Sequence, residues 1–340
     1  MRIGIVDEPR RAELLKLAIL LGGDHEVSWL ADSERALEER AAADVPDLVL
    51  VNVDLPLVDG LAATRRLVRD ARTAVLVTVA GHADPGRVFE AIGHGALDAV
   101  SLHDAAFPEA MAALLLPKVA AIARWIGKSP QPASPLAPIA DDLGCHRLIA
   151  IGASAGGPAA LSVVLGGLPR TLPAAVVVVQ HLGEDFTVGV AEWLQRGTRL
   201  DVRVAREGDR LTAGTVLVAG GNDHLIFKTS GKLGYTPEPR DKIYRPSIDV
   251  FFQSVCRLWR GSAVGVLLTG MGRDGAQGLQ TIRAQGHHTI AQDEATSAVY
   301  GMPKAAAALN AAVDILPLDQ IAGRIHDVAV TRVRARRPIR

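Results

Sequence analysis

Up to about residue 126 the chain alternates short runs of β-branched and aliphatic residues with amphipathic stretches. Runs at Ile3–Val6, Glu26–Leu30, Leu48–Val53, Val75–Thr78 and Asp98–Leu102 predict strands, because they are too short for helices and carry no 3.6-residue period. Arg11–Leu21, Leu61–Asp70 and Ala110–Trp125 show that period and predict helices between and after them. Strand and helix in strict alternation predict a doubly wound α/β domain. From His146 the alternation resumes. The run at Leu148–Ile151, the continuous Ala174–Val179 and the stretch Ala263–Leu268 read as strands buried on both faces, with further strands at Val202–Ala205, Thr215–Ala219 and His224–Lys228. Helices are expected from near Pro158 to Leu165 and over Ala276–Ala284. Between the two alternating regions, Gly127–Asp142 holds Ser129-Pro130-Gln131-Pro132-Ala133-Ser134-Pro135-Leu136-Ala137-Pro138, which can neither propagate a helix nor sit inside a sheet. The expected organisation is therefore a first α/β domain (1–126), a proline-rich linker (127–143), a second, parallel-sheet α/β domain (144–331) and a short basic tail (332–340).

Composition sets limits on this picture. The 340 residues are 49% hydrophobic and 22% charged, enough for two separate cores. Acidic and basic side chains balance at 37 each, so no global field favours nucleic acid. Cys145 and Cys256 make neither a disulfide framework nor a zinc-ligand spacing. No stretch approaches the roughly 20 apolar residues of a membrane span. Met1-Arg2-Ile3-Gly4-Ile5-Val6-Asp7 enters a strand at once, and a cytoplasmic location is expected.

Candidate chemistry collects where parallel strands end, since open α/β sheets carry their sites at the carboxyl edge. In the first domain those positions hold Asp7, Glu8, Asn52 and Thr78. Ile5-Val6-Asp7-Glu8, Leu48-Val49-Leu50-Val51-Asn52-Val53-Asp54-Leu55-Pro56-Leu57-Val58-Asp59-Gly60 and Val75-Leu76-Val77-Thr78 make this domain resemble a response-regulator receiver, of flavodoxin-like fold. That resemblance implies a Mg²⁺ site and a phosphoacceptor aspartate on the third strand. Here the phosphoacceptor position is Asn52, and Leu102 stands where the family carries a lysine. An amide is a poor nucleophile and brings no charge to a cation, and without the lysine no ammonium meets an acyl phosphate. Asp54 is placed by strand alternation on the side of Asn52. The expectation is a receiver that has lost standard phosphorylation, needs no cofactor, and docks partners or shields the second domain.

In the second domain, Gly152-Ala153-Ser154-Ala155-Gly156-Gly157-Pro158 closes a buried strand with a turn of small residues. Two readings stand at this point: an ordinary glycine-rich strand–helix turn, or a nucleophile elbow that holds Ser154 beside the first N–H groups of a helix. A dinucleotide fingerprint is excluded, because Ser154 occupies a place where that motif needs glycine. Two more strands end in His181 and in Thr269-Gly270-Met271-Gly272-Arg273-Asp274-Gly275. Hydroxyl, imidazole and carboxylate at one sheet edge have the makings of a catalytic triad, whatever their order in the chain. The three turns, with Tyr244-Arg245-Pro246-Ser247-Ile248-Asp249 and Gly301-Met302-Pro303, are similar to segments of the chemotaxis-type protein-glutamate methylesterases, the CheB family. The resemblance implies Ser154 as nucleophile, His181 as general base and acid, Asp274 as the orienting carboxylate, Ala155 and Met271 at the oxyanion and Arg245 near substrate. It further implies methylated chemoreceptor cytoplasmic domains as substrates, with glutamine deamidation alongside, and a chemotaxis-type histidine kinase as a partner. No metal is expected. His287 and His288 are neighbours on an extended strand and face opposite ways; His224 reads as a strand-end residue, and His82, His94 and His103 as solvent-facing. Trp29, Trp125, Trp193 and Trp259 are scattered, as core residues are. The competing function is a docking or adaptor protein of a chemosensory array in which catalysis is secondary.

Overall fold

The computed structural model describes residues 1–55, 59–70, 73–81, 85–103, 105–125, 145–242 and 244–330. The expected linker, the basic tail, His82 and Pro56-Leu57-Val58 lie outside them. The chain forms two compact units, each around its own sheet.

In the first, β1 (Arg2–Val6), β2 (Glu26–Ala31), β3 (Leu48–Asn52), β4 (Ala74–Val79) and β5 (Asp98–Ser101) lie in the order β2-β1-β3-β4-β5, every pair parallel. Helices α1 (Pro9–Leu20), α2 (Glu34–Ala43), α3 (Gly60–Asp70), α4 (Pro85–Gly93) and α5 (Pro108–Trp125) connect and close it. This is the flavodoxin-like order, whose functional edge lies at the carboxyl ends of β1 and β3. The central strand β3 is buried along its whole length, which explains its unbroken aliphatic sequence. It stops at Asn52. Val53 and Asp54 already belong to the following turn, so the alternation used to place Asp54 beside Asn52 does not extend that far; instead the Asp54 N–H donates to Asn52 Oδ1 at 3.0 Å.

The second unit has seven parallel strands, β6 (Arg147–Ala153), β7 (Ala175–Gln180), β8 (Asp201–Val204), β9 (Thr215–Val218), β12 (Ser262–Leu267), β13 (His288–Gln292) and β14 (Asp314–Leu316), in the order β14-β13-β12-β6-β7-β9-β8. A separate antiparallel ribbon pairs β10 (His224–Phe227) with β11 (Leu233–Thr236). The helices are α6 (Gly157–Gly166), α7 (Thr187–Gly197), α8 (Ile248–Leu258), α9 (Ala276–Ala284), α10 (Met302–Ala308) and α11 (Leu318–Val330). The chain starts at β6, winds outward through β7, then returns on the other side of β6 through β12. The reversal puts a topological switch point beside β6, where such sheets form their clefts. The ribbon and α8 share an aromatic core: Phe227 lies 6.1 Å from Phe251 and 5.5 Å from Trp259 between ring centroids. Phe227 also donates its N–H to Ser254 Oγ at 3.0 Å, which fixes the helix against the ribbon. Among the described residues no helix is long and apolar enough to cross a membrane.

Candidate active site

The register of the sheet sets the geometry. Ala153 on β6 is paired with Gln180 on β7, and the His181 N–H continues the ladder to the Ala153 carbonyl at 3.1 Å. Ser154 and His181 are thus the next residues along two adjacent strands. Ser154 leads into a turn in which Gly156 takes φ +73°, a conformation glycine adopts without steric cost, and the Gly157 N–H bonds the Ser154 carbonyl at 2.7 Å. On the other side of β6, β12 runs into the loop that carries Asp274, with Leu267 paired to Gly152.

His181 and Asp274 meet directly. The imidazole Nε2 lies 2.9 Å from Asp274 Oδ2, and both side chains are buried. Nδ1 of His181 is buried and makes no hydrogen bond among the described residues. The Tyr244 ring is stacked on the imidazole at 4.3 Å between centroids and 5° between planes, which restricts its rotation.

Asp274 is held by more than the imidazole. The first turn of α8 points at it: Ile248 N–H donates to Oδ2 at 2.7 Å and Asp249 N–H to Oδ1 at 3.1 Å, while the Ser247 hydroxyl donates to Oδ1 at 2.9 Å. Ser247 is also the N-cap of α8, its Oγ accepting from Val250 N–H. A helix N-terminus favours negative charge through its unpaired N–H groups and its dipole. Burial by itself would push the Asp274 carboxyl up; the hydrogen bond and charge of His181, with the Ile248 and Asp249 N–H groups, outweigh it and hold the group at about 2. Close approach of α8 depends on two missing side chains. A Cβ on Gly152 would sit 2.4 Å from Ile248 Cγ2, and one on Gly275, where φ is +86°, would sit 2.6 Å from the same atom.

Sequence reasoning passed over several of these residues. His224 does begin a strand, as expected, but it is fully buried, with Nδ1 accepting from Ser247 N–H at 3.0 Å and Nε2 placed 3.1 Å from the Pro239 carbonyl. It therefore steadies the cap that steadies Asp274. Asp249 accepts from Gly278 N–H at 2.7 Å, tying α8 to α9; burial, and next the charge of Asp274, push its carboxyl up to about 7. The available signal was Pro246-Ser247-Ile248-Asp249 ahead of an apolar run, which marks a helix start. Met271 is buried in the turn after β12, against which Gly301 packs, its N–H and that of Met302 bonding the Gly270 carbonyl at 3.1 and 2.8 Å. Ala155 is buried directly after Ser154. The Arg245 guanidinium donates to the Arg240 carbonyl, a bond within its own loop.

At the carboxyl edge of the first sheet, Asn52 Nδ2 donates to Asp7 Oδ1 at 2.8 Å, and the Glu8 N–H donates to the same oxygen at 2.8 Å. Arg11 Nε lies 3.6 Å from Asp7 Oδ2, and its Nη2 reaches the Leu102 carbonyl at 3.4 Å. Thr78 is buried, and Glu8 is exposed. His94 meets Arg65 at 2.9 Å and His103 is exposed. In the second unit, His288 pairs with Asp314, whereas His287 accepts from Ala263 N–H. Among the described residues no three His, Cys, Asp or Glu side chains are grouped to hold a metal.

The chain is similar to known proteins along nearly its whole length. A family model described as CheB methylesterase matches residues 149–325, and one described as response regulator receiver domain matches residues 3–102. A protein-glutamate methylesterase/protein-glutamine glutaminase of Mesorhizobium japonicum is 50% identical over 331 residues, covering 96% of this chain and 98% of its own. A protein of the same description, of a group 3 operon in Pseudomonas putida, is 51% identical over 331 residues, with 96% and 98% covered. The crystal structure of the Thermotoga maritima CheB methylesterase catalytic domain superposes with a TM-score of 0.50 at 34% identity, covering 53% of this chain and 97% of that one.

Proposed function

The chain belongs to the CheB methylesterase family, with a receiver-family domain ahead of the catalytic one, and from that membership we propose that it is a protein-glutamate methylesterase that also deamidates protein glutamines. Ser154 is the nucleophile in this reading. The observation that carries it is the 2.9 Å bond between His181 Nε2 and Asp274, which leaves Nδ1 as the ring nitrogen to receive the serine proton. A lone hydroxyl is a feeble nucleophile at neutral pH, and the imidazole removes its proton as the glutamyl ester carbonyl is attacked. Backbone N–H groups at the turn after Ser154, at Ala155, and the Met271 turn face the developing oxyanion. The tetrahedral intermediate collapses, methanol leaves with the proton from His181, and an acyl-enzyme remains. Water, deprotonated by the same imidazole, then releases the glutamate and restores the serine. With a glutamine substrate, ammonia leaves in place of methanol. Arg245 lies in the loop ahead of α8 and is assigned to substrate binding.

The substrates in this reading are methylated chemoreceptor cytoplasmic domains, and the enzyme acts in the cytoplasm beside them, with a chemotaxis-type histidine kinase as the partner of the first domain. All three assignments rest on the family resemblance. The first domain is a poor fit for a divalent cation: beside the Asp7 and Glu8 carboxylates the third strand offers the Asn52 amide in place of a carboxylate, and the Arg11 guanidinium lies 3.6 Å from Asp7 Oδ2, where a cation would be repelled. With Asn52 at the phosphoacceptor position, it takes no phosphoryl group and acts by docking or shielding.

A single assay tests both parts. Methanol release from methylated receptor is expected from the wild-type protein, lost in Ser154→Ala with the melting temperature retained, and unchanged by acetyl phosphate with Mg²⁺. Equal release by wild type and Ser154→Ala overturns the esterase mechanism; activation by acetyl phosphate overturns the reading of the first domain.

A further inference from the structure

The parallel strands of the second unit have a second edge, at their amino ends, far from His181 and Asp274. Seven residues of β6 at about 3.3 Å each separate the two by roughly 20 Å. There the structure opens a cleft of about 1180 Å³ at the starts of β6, β12 and β13. Arg147, Arg260, Arg283, Arg324, His287 and His288 line it, and no carboxylate is among its described lining residues.

The charges in this cleft are unequally answered. Arg324 and His288 are already paired with Asp314, each at 2.6 Å. Burial lowers the His287 imidazole from its ordinary value, which disfavours its charged form. Arg147 donates to the Ala329 carbonyl, and Arg283 to the Asn310 and Ala312 carbonyls at 2.7 and 2.6 Å and to Asn310 Oδ1 at 2.8 Å; these acceptors carry no charge. Arg260 has less. Its Nε and Nη2 are buried and have no hydrogen-bond partner among the described residues. Three guanidinium groups therefore line one cleft without a counter-charge among those residues, and one of them holds two donor nitrogens out of water with nothing to receive their N–H groups. Leaving buried donors of a charged group unsatisfied is costly, so a native structure that does so calls for an acceptor from outside.

We propose that this cleft is an anion-binding site for a phosphate-bearing small molecule, with Arg260 as its principal contact and Arg147 and Arg283 beside it. Guanidinium presents a planar fork that matches the oxygens of phosphate in pairs. Three such groups ask for two or more negative charges, which a phosphate or polyphosphate brings and a single carboxylate does not. Nothing in the esterase mechanism uses this cleft, so the proposal stands apart from it.

Isothermal titration of the full-length protein at fixed ionic strength tests it, with inorganic phosphate, pyrophosphate and Mg²⁺-free ATP as probes. Saturable binding of at least one probe is expected, weakened about tenfold or more in Arg260→Gln through the loss of charge-assisted bonds. Arg260→Lys, which keeps the charge and loses the fork, is expected to fall between the two. Because Arg260 makes no hydrogen bond to the described protein, both variants should fold, and methanol release should match the wild type. Binding of ATP alone identifies a nucleotide-type ligand, whereas binding of phosphate or pyrophosphate as tight as that of ATP identifies the phosphate group itself. No saturable binding at millimolar concentration, or equal affinity in wild type and Arg260→Gln, overturns the proposal.

Discussion

Asp274 keeps a charge in a place where burial opposes it, and it does so because four donors converge on its two oxygens. Three of them come from Ser247, Ile248 and Asp249. Ser247 has a double duty, since its hydroxyl donates to Asp274 while its Oγ caps α8. Removing the hydroxyl costs a cap, about 1 kcal/mol of stability. It also strips a charge-assisted bond from the carboxylate that orients His181, and Ser247→Ala is expected to release methanol about tenfold more slowly. Ser247→Thr retains both interactions and should recover most of the rate. Comparing kcat with melting temperature separates the two effects: a lowered melting temperature with an unchanged kcat would show that Ser247 is only a cap.

At the scale of elements, α8 connects the fold to the chemistry. The ribbon seats it through Phe227 and Ser254, Gly152 and Gly275 make room for Ile248, and its first turn then lies against Asp274. Asp249 in that turn carries a pH dependence of its own. Its carboxyl is pushed up to about 7 by burial and by Asp274, against an ordinary 3.8. Between these values the folded chain keeps a proton that the unfolded chain has lost, so this group's contribution to stability is full below about pH 4 and fades as pH rises to about 7. Asp249→Asn retains an acceptor for Gly278 and removes the titration. Its stability in urea unfolding should gain on the wild type steadily across that window; a constant difference from pH 4 to 7 would contradict the assignment. These elements also show what the sequence could reveal. Strands β6, β7 and β12 are buried on both faces, so their aliphatic runs were legible, and with them the positions of Ser154, His181 and Asp274 at one edge. Of the ribbon, β10 was legible as the run His224–Lys228, whereas β11 was not, because Leu233-Gly234-Tyr235-Thr236 carries a glycine inside a run too short to show alternation. Nor were the roles of His224, Tyr244 and Ser247: the cap's start signal is local, but its target lies 27 residues along the chain, and no spacing rule connects the two.

Taken as a whole molecule, the chain joins two α/β sheets whose carboxyl edges have fared differently. The first matches a receiver in strand order and in Asp7, Glu8 and Thr78, yet Asn52 and Arg11 bring an amide and a guanidinium to Asp7. The substitution of Asn52 was legible in the sequence. The reach of Arg11 to Asp7 and to the Leu102 carbonyl was not, because it depends on how α1 packs across the strand ends. The second edge brings together an imidazole, a carboxylate and the strand end that carries Ser154, and the account stands or falls on that serine being the attacked and acylated group. A serine-directed fluorophosphonate tests this most directly, read by peptide mass spectrometry alongside residual methanol release. A single adduct on the peptide carrying Ser154, loss of methanol release in proportion to labelling, and no adduct in His181→Ala are expected. Full methanol release from protein completely labelled at Ser154, or an adduct that forms as fast in His181→Ala, would contradict that role for Ser154.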